Sequence, residues 1–220
     1  MNRDELIERH PQLFHMAEAG SWPGIREHGL ITTEDLVLTA GLPAAQTDAL
    51  LRERRSRSTV IEHPLYGRVV IRDQGPLNLS HLRGVLTDVT LEGWLQILNS
   101  RVFFWLHPDK LQQLLNARRY RQQPQDVITV DTRSLLDATD DRVRLSRMNS
   151  GATLYPSAPP RGSTTFETIE NYDYALQRRR RGAVDAIVEL AVVGGVADIE
   201  PHVLDVRRLQ AGQVLQHLYP

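Results

Sequence analysis

The chain contains no cysteine, which excludes disulfides, thiolate nucleophiles and cysteine-ligated zinc. It contains a single lysine, Lys110, so arginine supplies the rest of its 26 basic residues. No apolar run reaches membrane-spanning length. The longest stretch, Val184 to Val196, is too short and holds Asp185 and Glu189. The opening Met1-Asn2-Arg3-Asp4-Glu5 lacks the apolar segment of a secretory leader. Neither a heptad pattern nor an internal repeat is present. These absences predict a cytoplasmic protein that makes no use of a membrane.

What is there is ordinary in bulk and uneven in detail. A chain of 220 residues can bury a sizeable core, and a single domain over 1–220 is the simplest reading. With 41% hydrophobic and 24% charged residues it reads as a soluble globular protein. A net charge of −1 excludes a uniformly basic nucleic-acid binder. The arginines nevertheless cluster at Arg52, Arg54, Arg55 and Arg57, at Arg118, Arg119 and Arg121, and at Arg178 to Arg181. Such clusters fit local phosphate binding, and they equally fit solvated helix faces.

Local pattern predicts helices over 3–9, 22–28, 34–40, 44–57, 91–99 and 108–117. Ser21 and Thr33 are the expected N-caps, and Gly29 is the expected stop of the second helix. Strands are predicted at 13–16, 69–72, 101–106, 126–131, 184–193 and 202–206. Residues 149–165, rich in Ser, Gly, Pro and Thr, read as a long loop, a feature often tied to function. Helices and strands alternate early and strands dominate late, which predicts an α+β fold.

One residue stands out against this background. In Ala186-Ile187-Val188-Glu189-Leu190-Ala191-Val192-Val193 a lone acid interrupts an apolar run. A carboxylate flanked by aliphatics is costly to desolvate unless it has partners or a task. The alternative is an edge-strand glutamate facing water. Upstream lies the Arg178–Arg181 run, read as a basic loop leading into the strand.

The segment Leu13-Phe14-His15-Met16-Ala17-Glu18-Ala19-Gly20-Ser21-Trp22-Pro23 and its continuation to Gly29-Leu30 resembles the first motif of ADP-ribosyltransferases. That motif is a strand ending in His or Arg, a short helix, then Gly-Leu. Four later segments follow in matching order: Leu50–Arg55, Arg101–Trp105, Met148–Thr153 and Ala186–Ile199. By this order the chain resembles the DarT-like toxins, which move ADP-ribose from NAD to bases of single-stranded DNA.

The resemblance implies an ADP-ribosyltransferase-like split mixed β-sheet core with flanking helices. It implies NAD as ADP-ribose donor, no metal, a nucleic-acid acceptor and, elsewhere, an antitoxin protein as partner. Glu189 would stabilise the developing positive charge on ribose and activate the acceptor. His15, with Met16 beside it, would bind a ribose of NAD. Gly29 would let backbone approach the donor. Arg54, or Arg55 in its place, would hold the pyrophosphate or polarise the site.

Phe104 would stack on nicotinamide, and Asn149 and Ser150 would contact NAD. Tyr172, Tyr174, Arg178, Arg179, Arg180 and Arg181 would meet the target. Each residue also has a plain structural reading, as core, cap or solvated face. Residues 62–99 have no counterpart in the pattern. Two other functions use the same site: an NAD glycohydrolase with water as acceptor, and a non-catalytic module that binds ADP-ribose or nucleic acid. A metal hydrolase is weakest, because His63, His81 and His107 lack the close spacing of a zinc pair.

Overall fold

The computed structural model describes residues 1–219. Helix α1 (Arg3–Arg9) leads into strand β1 (Gln12–Glu18), longer than pattern predicts. Helix α2 (Trp22–His28) carries Pro23 in its first turn and ends at Gly29, whose φ of 85° suits glycine. Ser21 precedes it without capping it. Helix α3 (Thr33–Thr39) starts one residue early, because Thr32 is extended and its hydroxyl accepts from the Asp35 N–H at 3.0 Å.

Helix α4 (Ala44–Arg52) ends before the arginine cluster, with Glu53 extended. The helix expected over 44–57 stops there because Arg55 turns inward. Its Nη1 donates to the Leu50 carbonyl at 2.6 Å and to Asn99 Oδ1 at 3.0 Å, and its Nε donates to the Arg72 carbonyl at 2.9 Å.

Strands β2 (Thr59–His63) and β3 (Gly67–Ile71) form a separate antiparallel hairpin. Helix α5 (Leu79–Val85) follows, capped by Asn78, and then helix α6 (Leu91–Asn99) and strand β4 (Arg101–Trp105). Helix α7 (Pro108–Leu115), strand β5 (Gln125–Asp131), helix α8 (Thr132–Thr139) and strand β6 (Val143–Ser146) come next. The Arg178–Arg181 run lies not in a loop but at the end of helix α9 (Tyr174–Arg181), where cations complement the helix dipole.

Strand β7 (Glu189–Val193) begins at the glutamate, since Ala186, Ile187 and Val188 are buried as irregular chain. Strands β8 (Val203–Gln210) and β9 (Gln213–Tyr219) close the fold. They are joined through Ala211 and Gly212, both at positive φ (49° and 79°).

Among the described residues, seven strands form one sheet in the order β6-β7-β4-β1-β5-β8-β9. Every ladder in it is antiparallel, so the mixed sheet expected from the resemblance is replaced by an antiparallel one. The α+β class holds. β1 pairs with β5 along its whole length, from Gln12↔Asp131 to Glu18↔Gln125. β4 pairs with β7 from Arg101↔Val193 to Trp105↔Glu189. Between β1 and β4 the only register pair is Phe14↔Trp105. The sheet is therefore parted through its centre. One face packs Leu13, Val102, Phe104, Ile128, Leu190 and Val192 into the main core.

The turn after β1 is held by Asp126, which is fully buried. Its Oδ2 accepts from the Gly20 N–H at 2.8 Å and the Trp22 N–H at 3.3 Å, and its Oδ1 accepts from Arg208 Nε at 2.8 Å. Asp126→Ala strands the Arg208 guanidinium and two backbone donors. It should cost about 3–5 kcal/mol, read as a lowered urea midpoint at unchanged m-value.

Candidate active site

A cavity of about 420 Å³ runs through the parting between β1 and β4. That volume falls within the range of small-molecule sites, about 300–1,000 Å³. Residues of both strand parities line it, including His15 with Met16 and Val102 with Phe103, because the gap exposes the strand edges themselves. The β2–β3 hairpin and the segment after it supply another wall, with Tyr66, Arg68, Val70, Arg72 and Asp73. Residues 62–99, unassigned by pattern, thus build part of the site.

Glu189 sits on the cavity wall and is 4% exposed. Its Oε2 accepts from the Ser150 N–H at 3.0 Å. Burial raises its pKa to about 7, against the opposing pull of Ser150 and of the nearby Arg161 charge. Arg161 is almost fully buried and braces the 149–161 loop from within. Nη2 donates to the Asn149 carbonyl at 3.1 Å and also to the Ala152 carbonyl, and Nη1 donates to the Pro159 carbonyl at 2.7 Å. The long loop is thus fixed over the carboxylate.

His15 lies across the gap. Its Nδ1–H donates to the Phe103 carbonyl at 2.9 Å, and burial lowers its pKa to about 4. The ring is neutral at pH 7, so Nε2 is left as an acceptor for a hydroxyl. Of the donor-and-acceptor pair expected for a ribose diol, the acceptor remains. Met16 lines the cavity, and its carbonyl accepts from Arg72 Nη1 at 3.0 Å.

Gly29 also lines the cavity, but the backbone it approaches is the protein's own. A Cβ there would collide with the Ala197 carbonyl oxygen, beside the paired Leu30 and Val196. The first motif is thereby docked on the turn that follows the Glu189 strand.

Of the two candidate arginines, Arg55 lines the cavity and Arg54 does not. Arg54 donates to the Gly75 carbonyl at 2.8 Å. Neither arginine sits on the helix, because α4 ends at Arg52.

Phe104 is fully buried in the main core, and its strand neighbours Phe103 and Trp105 face the cavity instead. The register shows why: Val102 and Phe104 share one face, and Arg101, Phe103 and Trp105 the other. Asn149 and Ser150 line the cavity as expected.

Tyr172 and Tyr174 do not reach it. Tyr172 is a core residue whose hydroxyl donates to the Ala186 carbonyl, and burial raises its pKa. Tyr174 is buried against Arg9, whose guanidinium lies 4.8 Å from its ring centre. Arg178, Arg179, Arg180 and Arg181 are exposed and lie outside the lining.

Sequence reasoning missed Trp105, Arg72 and Arg161. Strand alternation in Arg101–Trp105 carried the signal for the first, since the polar Arg101 shares its parity.

The three histidines weighed as a metal set make structural contacts. His63 binds Thr39 Oγ1 at 2.9 Å, His81 binds the Thr153 carbonyl at 3.0 Å, and His107 caps α7. Among the described residues no group of three or more metal-binding side chains occurs, and no helix is long and apolar enough to cross a membrane.

A family model, described as a family of unknown function (DUF7002), matches residues 11–203. The chain belongs to this family. The matched stretch contains every residue that lines the cavity. No curated protein matches the chain.

The Glu189 environment makes stability depend on pH. The raised pKa means that the fold favours the protonated acid. That contribution is complete below about pH 4.5 and is lost as pH rises through about 7. Glu189→Gln, which keeps an acceptor for Ser150, should match the native protein at pH 5. At pH 9 it should exceed the native protein by on the order of 3 kcal/mol in urea unfolding.

Proposed function

We propose that this chain is an ADP-ribosyltransferase that uses NAD as donor and a nucleic acid as acceptor, on an ADP-ribosyltransferase-like split sheet. The observation that carries the reading is the pairing of a buried carboxylate with a neutral histidine across a parted sheet. Glu189 opens β7, His15 lies on β1, and one cavity holds both. A plain core has no use for a desolvated carboxylate facing a cavity of ligand size.

The lining suits the donor. It carries four arginines and three carboxylates, with aromatic surface from Phe103, Trp105, Tyr66 and Tyr120. Cationic forks match phosphate oxygens, and aromatic faces match planar rings. When the nicotinamide–ribose bond breaks, its electron pair leaves with the ring nitrogen and positive charge develops on the ribose carbon. Glu189, as carboxylate, stabilises that charge at short range in a low-dielectric site. It then takes the proton from the attacking acceptor atom and returns it to water. A pKa near neutrality suits a base that must both accept and release. His15 Nε2 accepts from a ribose hydroxyl, and the loop at Ser150 keeps the carboxylate aimed.

Support for a phosphate-bearing acceptor comes from the basic end of α9. Arg181 Nη1 donates to the Arg147 carbonyl at 3.0 Å. This anchors the arginine run next to the loop that covers Glu189.

The test uses NAD labelled in its adenine ring with separate pools of single-stranded DNA, RNA and protein. Label should pass to nucleic acid, and Glu189→Gln should lower the rate by about 10³-fold or more. In the native protein kcat/KM should rise with pH through about 7 and then level, because the active form is the carboxylate. Nicotinamide release without transfer would assign hydrolysis, and absence of any reaction with NAD would end the reading.

A further inference from the structure

The wall built by the β2–β3 hairpin carries the most informative unassigned group. Arg68, Val69 and Val70 of β3 and Arg72 just after it line the cavity, while Ile71 turns away into a separate apolar cluster. Arg72 is half-buried. Its Nη1 donates to the Met16 carbonyl, and its guanidinium lies 5.2 Å from the centre of the Tyr120 ring. These contacts fix the plane of the fork. The adjacent carboxylate, Asp73, is engaged by Arg119 at 2.6 Å. Among the described residues no carboxylate lies within 4.0 Å of the Arg72 nitrogens. A cation held in a cavity without a counter-ion is poised for an anionic ligand.

Two of the other three lining arginines are already engaged. Arg55 is bonded to two carbonyls and Asn99. Arg101 donates to the Ile97 carbonyl and to Ser100 Oγ, and stacks on Phe166 at 5.0 Å. Arg68 is exposed, and four strand residues place it about 13 Å from Arg72, too far to share one diphosphate.

We infer that Arg72 forms a diphosphate subsite, so that the hairpin wall serves the donor half of the cavity and Arg68 only attracts anions to its mouth. This rests on the proposed donor. It moves the phosphate role from Arg54 and Arg55 to a residue outside the segments that carry the resemblance.

Calorimetric titration of the purified chain with ADP-ribose, inorganic pyrophosphate, NAD and phosphate-free adenosine tests it. Pyrophosphate should compete with ADP-ribose. Arg72→Gln, which keeps a donor for the Met16 carbonyl, should weaken both by about tenfold or more and leave adenosine unchanged. Arg72→Lys should lose less, and Arg68→Gln should have only a small effect that vanishes in salt.

Equal ADP-ribose affinity in Arg72→Gln and the native protein would overturn the subsite while leaving the transferase reading intact. Arg72-dependent binding of pyrophosphate and ADP-ribose with no reaction of NAD would support the subsite and sink the transferase. Failure of the native protein to bind any phosphate ligand would overturn the subsite. Thermal melting reports folding separately. If Arg72→Gln does not fold, the Lys variant and the competition decide.

Discussion

The hydrogen bond from His15 Nδ1 to the Phe103 carbonyl is the contact on which the rest depends. Two central strands that meet only at Phe14 and Trp105 leave backbone groups without ladder partners. Such groups are costly unless satisfied. Here side chains do the work of the missing strand. The His15 ring serves the β4 edge at Phe103, and the Arg72 fork serves the β1 edge at Met16. A sheet that would otherwise zip shut is held open, and the cavity is the space that results.

The same arrangement sets the electrostatics. The ring that bridges the gap is neutral because it is desolvated. The carboxylate opposite is desolvated too, so its charge is expensive and its pKa rises toward neutrality. Neither group is paired with an opposite charge in direct contact. Arg161 lies close enough to be felt by Glu189, yet its own hydrogen bonds run to loop carbonyls. The field at the carboxylate is thus tuned by a structural arginine that touches the loop.

Much of this was legible in the sequence, for identifiable reasons. Helices with clear caps and apolar periodicity, such as Leu91–Asn99 with Thr90 before it, appear where expected. Glu189 was readable because an acid in an aliphatic run contradicts its surroundings, and the ordered segments drew His15 and Ser150 to it. The failures came where tertiary contacts override local preference. Nothing local says that Arg55 leaves its helix for Asn99, or that Arg161 is buried among carbonyls. Tyr172 read as a target contact because the aromatic signal does not distinguish a core hydroxyl bonded to Ala186 from an exposed ring. Phe104 was a parity error that strand alternation could have prevented. The β2 strand carries a weak signal, so the hairpin that presents β3 to the cavity was invisible until the chain folded back on itself.

That wall brings its own apolar support. Ile61 and Ile71 pack with Val37, Ala40 and Leu50, apart from the cluster that holds the seven-stranded sheet together. Arg68 and Val70 face the cavity and Ile71 anchors the hairpin, while Val69 touches both the cavity and the anchoring cluster. Substitutions that do not share contacts tend to add independently. A change in a side chain that only faces the cavity, such as Arg68, can thus alter the wall and leave the cluster that anchors the hairpin intact.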